Sequence, residues 1–389
     1  MTTKKTETVI AHEGRPAEGP INRPVTRGST VSFRSLDAFE AEAANTDLRN
    51  ASRYGRVGNP NSRDFEHVMA ALEGGYGTIT ACSGLAVIAC ALNAFAAPGA
   101  HILVVDTVYG PVRRFCEKRL RPLGVDVEYY DPMIGAGIAK LVRQNTKIIY
   151  LESPGSKTFE VQDVPAIAAA VKGKGVVTMI DNTWATPVFF QPLPLGVDIS
   201  LHAITKYIGG HSDLFLGAAV CASKEHYYAL RNYAIESGQC AGPDDLYMAL
   251  RGLRTLDVRL RRHEENARKV IDWLKTRAEV KRILYPALAD CPGHQHWKRD
   301  FKGASGLFSV ILKTKSKDDL KKFIDGLEYF PLGYSWGGYE SLIVPLHLDG
   351  ERSATKFAEE GQAVRLHIGL ENPDDLIADL AAGFERMKS

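Results

Sequence analysis

The sequence predicts an α/β protein with a mostly parallel central sheet and a smaller α+β domain toward its C-terminal end. Three observations carry that expectation. Short apolar runs (HILVVD, VEYYD, KIIYLES, VVTMID, ISLHAI and LGAAVCA) recur between residues 101 and 222, separated by helix-length amphipathic stretches. That is the texture of βαβ units whose strands are buried on both faces. Past about Leu246 the pattern changes to a long charged helical stretch, LRTLDVRLRRHEENARKVIDWLKTR, followed by the strand-like GLFSVIL, SLIVPL and VRLHIGL. Finally, 389 residues with 45% hydrophobic and 24% charged suffice for two or three domains with a sizeable core.

Residues 1–62 are polar and rich in Arg, Asn and Gly, with little hydrophobic periodicity, and read as an irregular arm that needs a surface to lie on. Residues 63–250 form the α/β domain. It includes a strand ending near Ala81, after which Ser83-Gly84-Leu85 opens an apolar helix. Residues 251–389 form the α+β domain, closed by a helix from roughly Pro373 to Met387. With 48 Lys+Arg against 46 Asp+Glu, the net charge of +2 is too small to suggest a polyanion surface, which disfavours nucleic acid. The six cysteines are scattered without a Cys-x-x-Cys pair, which fits reduced thiols in the cytoplasm rather than zinc or disulfides. The N-terminal stretch MTTKKTETVIAHEGR lacks the apolar segment of a signal peptide. The longest apolar run, Leu85 to Ala97, is broken by Asn93 and falls short of the ~20 residues that cross a bilayer, so no membrane span is expected.

In α/β sheets, ligands sit beyond the carboxyl ends of the strands, so polar residues directly after apolar runs are the first candidates. Asp181 ends VVTMI, and Lys206 follows the run from Ile199 to Thr205. Separately, they read as a helix cap and a surface charge. Together, a lysine and a carboxylate on neighbouring strand ends suit pyridoxal phosphate, whose aldehyde is carried on an amine and whose pyridinium nitrogen is held by an acid. Gly209 and Gly210 would let a ring approach the backbone. The turn at Ser83-Gly84-Leu85 offers a phosphate the start of a helix. Tyr109, after HILVVDTV, could stack on a planar cofactor. Neither G-x-G-x-x-G nor G-x-x-x-x-G-K-[ST] occurs, which argues against a dinucleotide or nucleoside-triphosphate fold.

The string from Asp198 to Ser212, DISLHAITKYIGGHS, resembles the cofactor-lysine signature of the Cys/Met metabolism family of pyridoxal phosphate enzymes. The resemblance covers nearly the whole chain: SRYGRVGNP, LEGG, SGLA, DTVYG, LESPGS, IDNTWA, TKYIGGHSD, GLRTLDVRL and VRLHIGLE stand in family order. It implies an aspartate-aminotransferase-like, fold type I architecture, with Lys206 as the Schiff-base lysine and proton shuttle. Asp181 would bind the ring nitrogen, Tyr109 would stack on the ring, and Gly84, Leu85 and Thr205 would hold the phosphate. Tyr54 and Arg56 would reach the phosphate of a neighbouring subunit, implying a homotetramer built as a dimer of dimers with shared sites. Arg365 would clamp the substrate α-carboxylate.

The segments YSWGGYES (residues 334–341), LHIGLE (366–371) and DNTW (181–184) resemble the bacterial β-lyase branch of the family, placing Ser335 and Trp336 beside the substrate. The implied activity is a carbon–sulfur lyase of methionine biosynthesis, converting L-cystathionine to homocysteine, pyruvate and ammonia by α,β-elimination. A broader cysteine-conjugate or cystine lyase and a γ-acting relative are the alternatives. Ala203, where many members carry a phosphate-binding serine, and Ser156, where some carry an asparagine, both suit the β-lyase branch. Val57 departs from it, because a second arginine often stands there to hold the distal end of the substrate.

Three other patterns compete. Gly333-Tyr334-Ser335-Trp336-Gly337 matches the G-x-S-x-G elbow, with Asp349 and His367 following in α/β-hydrolase order, yet the segment leads into strand-like LIVP instead of a helix. His294 and His296 suggest a metal but have no third ligand in the sequence. The basic run from Arg259 to Arg262 is followed by Glu264 and Glu265 and reads as a solvated helix face.

Overall fold

The computed structural model describes residues 4–348 and 350–388. The apolar runs form strands Gly77–Ala81 (β1), His101–Val105 (β2), Asp126–Tyr130 (β3), Thr146–Glu152 (β4), Val177–Asp181 (β5), Ile199–Ala203 (β6) and Gly217–Cys221 (β7). They make one sheet in the order β1-β7-β6-β5-β4-β2-β3. Strands β2 to β6 pair in parallel, while β7 is antiparallel to both its neighbours. Every residue of β1, β2 and β7 is buried, as expected of strands covered on both faces. Helix Gly84–Phe95 packs on β6 and β7, capped by Ser83, whose Oγ accepts from Ala86 N at 3.2 Å.

The later runs form Val280–Leu284 (β8), Leu307–Leu312 (β9), Leu342–Leu346 (β10) and Ala363–His367 (β11), an antiparallel sheet in the order β10-β11-β9-β8. Helices Lys317–Ile324 and Pro373–Lys388 pack together, with Phe323 stacked on Phe384 at 4.7 Å. The two sheets meet around the start of β9. Trp184 Nε1 donates to Leu307 O (3.1 Å), Gly306 N to the Tyr207 hydroxyl (3.0 Å), and Ser309 Oγ to Lys157 O (2.7 Å). The loops beyond β5, β6 and β4 are therefore tied to the second sheet, and a cleft opens between them.

Two expectations need correction. The arm is not irregular throughout: Thr6–His12 and Leu36–Ala44 are helical, and helix Pro60–Glu73 starts inside it. Local capping supports the second and third of these, since Ser35 caps Ala38, and Asn59 and Ser62 form a reciprocal capping box with Pro60 at the first position.

Nor is Arg259 solvated. It lies on the buried face of helix Leu256–Leu274 with Leu256, Leu260 and His263. Its guanidinium donates to the carbonyls of Tyr207 (2.6 Å), Ile208 (3.3 Å) and Gly252 (2.7 Å), and burial lowers its pKa to about 10. Gly209 and Gly210 serve this packing. A Cβ on Gly210, which has φ +73°, would stand 2.0 Å from Arg259 Nη1, and one on Gly209 would meet Ile204 O and Leu214.

Candidate active site

The cleft has a volume of about 260 Å³ and is lined by the ends of β4, β5 and β6, the Gly84 turn and residues of the second sheet. Among its lining are Lys206, Asp181, Tyr109, Gly84, Leu85, Thr205, Trp336 and Arg365. Lys206 lies three residues beyond β6, on a loop that Arg259 holds from behind. Its Nζ donates to Ser335 Oγ at 2.5 Å and stands 5.4 Å from the Trp336 ring centre. Burial first, and then the nearby Arg365 charge, lower the Lys206 pKa to about 8, with Asp181 opposing. An amine so placed has a neutral fraction near physiological pH that an ordinary lysine lacks, as a base or nucleophile requires.

Asp181 closes β5. Its Oδ1 accepts from the Thr183 N–H (3.0 Å) and hydroxyl, and that hydroxyl accepts from Ala203 N at 2.9 Å. Burial raises its pKa, while Thr183, His202 and Lys206 oppose the shift. A cationic ring nitrogen facing Asp181 would complete the ion pair that burial otherwise disfavours.

The sequence reading missed Glu152. It ends β4 in register with Asp181 on β5. Its Oε2 accepts from Tyr109 N at 2.7 Å and its Oε1 from Ser156 Oγ. Burial, and then the Asp181 charge, push its pKa up to about 8. Two carboxyls thus end adjacent strands, and the outer one holds the Tyr109 turn. The rule that found Asp181 also selects Glu152, which directly follows the apolar run KIIYL.

Gly84 begins its helix against β6, where a Cβ would lie 2.6 Å from Ala203 Cβ. The closeness of this turn to β6, together with first-turn N–H groups that have no intrahelical partner, makes a cradle for an anion. The Thr205 hydroxyl beside it accepts from Leu216 N at 3.1 Å. Arg365, on β11, has a pKa lowered by burial and donates to Ser335 O at 3.1 Å. Ser335 takes φ +92°, a strained conformation for a residue with a side chain and one that clusters at functional sites. Amine, carboxylate, anion cradle and aromatic ring therefore converge as pyridoxal phosphate requires, and the residues present fit that group.

Tyr54 and Arg56 do not line this cleft. Tyr54 is 46% exposed and forms a bridge with Thr30, and Arg56 donates to Ile235 O at 2.6 Å. The hydrolase arrangement is absent from the described residues. After Ser335 the chain runs into β10 without a helix. His367 Nε2 lies 3.1 Å from Gly337 N and from Gly338 O, with no bond to Ser335, and Asp349 falls outside the described residues. His294 bonds through Nδ1 to Pro286 O at 2.9 Å, and no group of three potential ligands gathers around a metal among the described residues.

A family model described as Cys/Met metabolism PLP-dependent enzyme matches residues 5–385. The chain is 48% identical to a putative cystathionine beta-lyase of Rhizobium johnstonii, over 97% of this chain and 94% of that protein. It is 44% identical to the cystathionine beta-lyase MetC of Escherichia coli, with 100% of both chains covered. The crystal structure of metB from Corynebacterium glutamicum superposes with a TM-score of 0.89 at 31% identity, covering 99% of each chain.

Proposed function

Because the chain belongs to the Cys/Met metabolism family of pyridoxal-phosphate-dependent enzymes, we propose that it is a carbon–sulfur lyase that converts L-cystathionine to homocysteine, pyruvate and ammonia by α,β-elimination. The observation that carries this reading is the convergence of Lys206, Asp181 and Arg365 in one cleft, in a chain 44–48% identical to proteins named for that reaction.

Pyridoxal phosphate, when bound, supplies an electron sink for the charge left at Cα. The chain's own groups do the rest. The Gly84–Leu85 helix start holds the phosphate, assisted by Thr205, and Asp181 pairs with the ring nitrogen. Tyr109 stacks on the ring, and Arg365 takes the substrate α-carboxylate in its planar fork. Lys206, with its pKa near 8, removes the Cα proton. The Tyr109 hydroxyl, its pKa raised first by burial, stays protonated at neutral pH and can donate to the departing sulfur, as can Lys206 once charged. Trp336 and Ser335 border the amine and position it.

We assign Tyr54 and Arg56 to a neighbour's phosphate in a dimer of dimers, which agrees with their place outside their own cleft. A cytoplasmic setting fits six unpaired cysteines; no helix among the described residues is long and apolar enough to cross a membrane. Borohydride reduction and peptide mapping should place the pyridoxyl adduct on Lys206. Pyruvate as the keto acid from L-cystathionine supports β-elimination, and 2-oxobutyrate would show γ-elimination instead. Under subunit exchange, Lys206→Ala mixed with Arg56→Ala should regain partial activity, and no recovery would refute shared sites.

A further inference from the structure

Ser335 meets the Lys206 amine in a strained backbone conformation, φ +92°, so its surroundings must over-determine the loop that carries it. Strand β11 supplies that constraint. Arg365 and His367 stand two positions apart on β11 and so project from one face of the second sheet. They grip the loop at 335 and 337, also two apart. Arg365 donates to Ser335 O at 3.1 Å, and His367 Nε2 lies 3.1 Å from Gly337 N and from Gly338 O. Between the two grips, Trp336 stands beside the amine. Gly337 packs on the lysine itself, since a Cβ there would be 2.7 Å from Tyr207 N and 3.1 Å from Lys206 Cα.

His367 is 1% exposed, and nothing in the chemistry proposed above uses it. The titratable groups around it are His263 on helix Leu256–Leu274, Lys206 and Tyr207 on the loop after β6, and Arg365 on its own strand. Burial first, and then His263, Arg365 and Lys206, hold its pKa well below the usual histidine range, against the Gly338 carbonyl. His263 is itself lowered to about 4, mainly by burial. The His367 ring is therefore neutral, with one proton to place between two nitrogens. A buried N–H without an acceptor is rarer than a carbonyl without a donor, so Nε2 accepts from Gly337 and Nδ1 carries the proton.

We propose that His367 is a positioning residue for the lysine base: by accepting from Gly337 N it holds residues 335–338 where Ser335 Oγ meets Lys206 Nζ and where Trp336 and Gly337 keep water from the amine. The assignment rests on the reading of Lys206 as the base.

Two replacements that fill the same space separate positioning from packing. His367→Gln keeps both an acceptor and a donor for Gly337 and Gly338, whereas His367→Phe keeps only bulk; His367→Leu takes its place should the phenyl ring not fit the buried site. In the cofactor-free protein, competitive acetylation by acetic anhydride across a pH series, with peptide mapping, reads the protonation of Lys206 against exposed lysines of the same chain. The wild-type midpoint should lie at about 8. In His367→Phe it should rise by about one unit or more toward that of an ordinary lysine, because a released loop admits water. His367→Gln should stay near wild type. In the holoenzyme acting on L-cystathionine, kcat should fall about ten- to a hundredfold in His367→Phe, the scale of a small misplacement of a reacting group, and His367→Gln should recover most of it. A midpoint at least about half a unit higher in His367→Phe than in His367→Gln, together with the lower kcat, supports the assignment. Absence of either difference overturns it while the lyase reading stands. Borohydride mapping to a lysine other than Lys206 would overturn that reading, and this assignment with it.

Discussion

The two sides of the cleft hold their charges in different ways. On the sheet side, Glu152 and Asp181 end neighbouring buried strands, and their ionisation is governed first by burial, with the Asp181 charge adding to the shift of Glu152. At the mouth, acids and bases are matched pair by pair: Asp106 with Arg113, Glu351 with Lys157, Glu160 with Arg352. Unmatched charges out of water interact strongly with whatever enters, whereas a charge already matched by a close partner presents a smaller net field. The sheet side should therefore set whether the chemistry runs, and the mouth which substrate it runs on.

The largest effect expected is at the sheet side. Lys206→Ala should lower pyruvate release by about 10²- to 10⁴-fold for every β-thio amino acid alike, the usual span of a lost general base. A substrate-dependent loss would break the division of labour. Arg365→Gln comes next, with about a ten- to hundredfold loss through KM, again independent of the distal group because every substrate carries an α-carboxylate. If instead kcat alone falls, Arg365 orients the Lys206 amine through Ser335 and does not clamp the substrate.

At the mouth, Asp106 binds the 350–357 segment. Its carboxylate accepts from the N–H groups of Ser353 (3.0 Å), Ala354 (2.9 Å) and Thr355 (2.7 Å) as well as from Arg113. Burial alone would raise its pKa, but these donors outweigh burial and hold it below the usual value. The stability it supplies is therefore present above the unfolded carboxyl pKa and is lost as pH falls through the folded one. Asp106→Asn should cost about 2 kcal/mol, since a charge-assisted acceptor is replaced by an amide that adds a donor facing N–H groups. The check is denaturant unfolding at pH 7 and pH 3, where the gap between wild type and variant should narrow at the lower pH.

What could be read from the sequence follows the same contrast. Strand ends are legible because an apolar run has to stop, and the first polar residue after it faces the ligand edge; Asp181 and Lys206 were found that way. Glu152 satisfied the same rule, but the sequence reading treated LESPGS only as a family motif. Arg259 was missed because the neighbouring Glu264 and Glu265 suggested a solvated face, although its helical spacing from His263 places it on the buried one. The mouth was illegible for a different reason. Its charges are matched across the chain, and pairs such as Lys157–Glu351 join residues nearly two hundred positions apart, so no local pattern signals them.

The last expected effect concerns Glu152, and it returns to the sheet side. In the unfolded chain this carboxyl ionises near 4.5, whereas in the fold it keeps its proton until about 8. Between those values the folded protein binds one more proton than the unfolded chain. The stability tied to that proton is fully present below about 4.5 and is lost as pH rises through 8. The slope from one such group is at most about 1.4 kcal/mol per pH unit, and Asp181, also raised, adds in the same direction. Glu152→Gln keeps the shape and the acceptor for Tyr109 N without titrating. The cofactor-free variant should therefore lose stability less steeply than wild type between pH 5 and 8 in thermal unfolding. Parallel curves would mean that Glu152 is already ionised in the fold, and that the Tyr109 and Ser156 donors outweigh both its burial and its repulsion by Asp181.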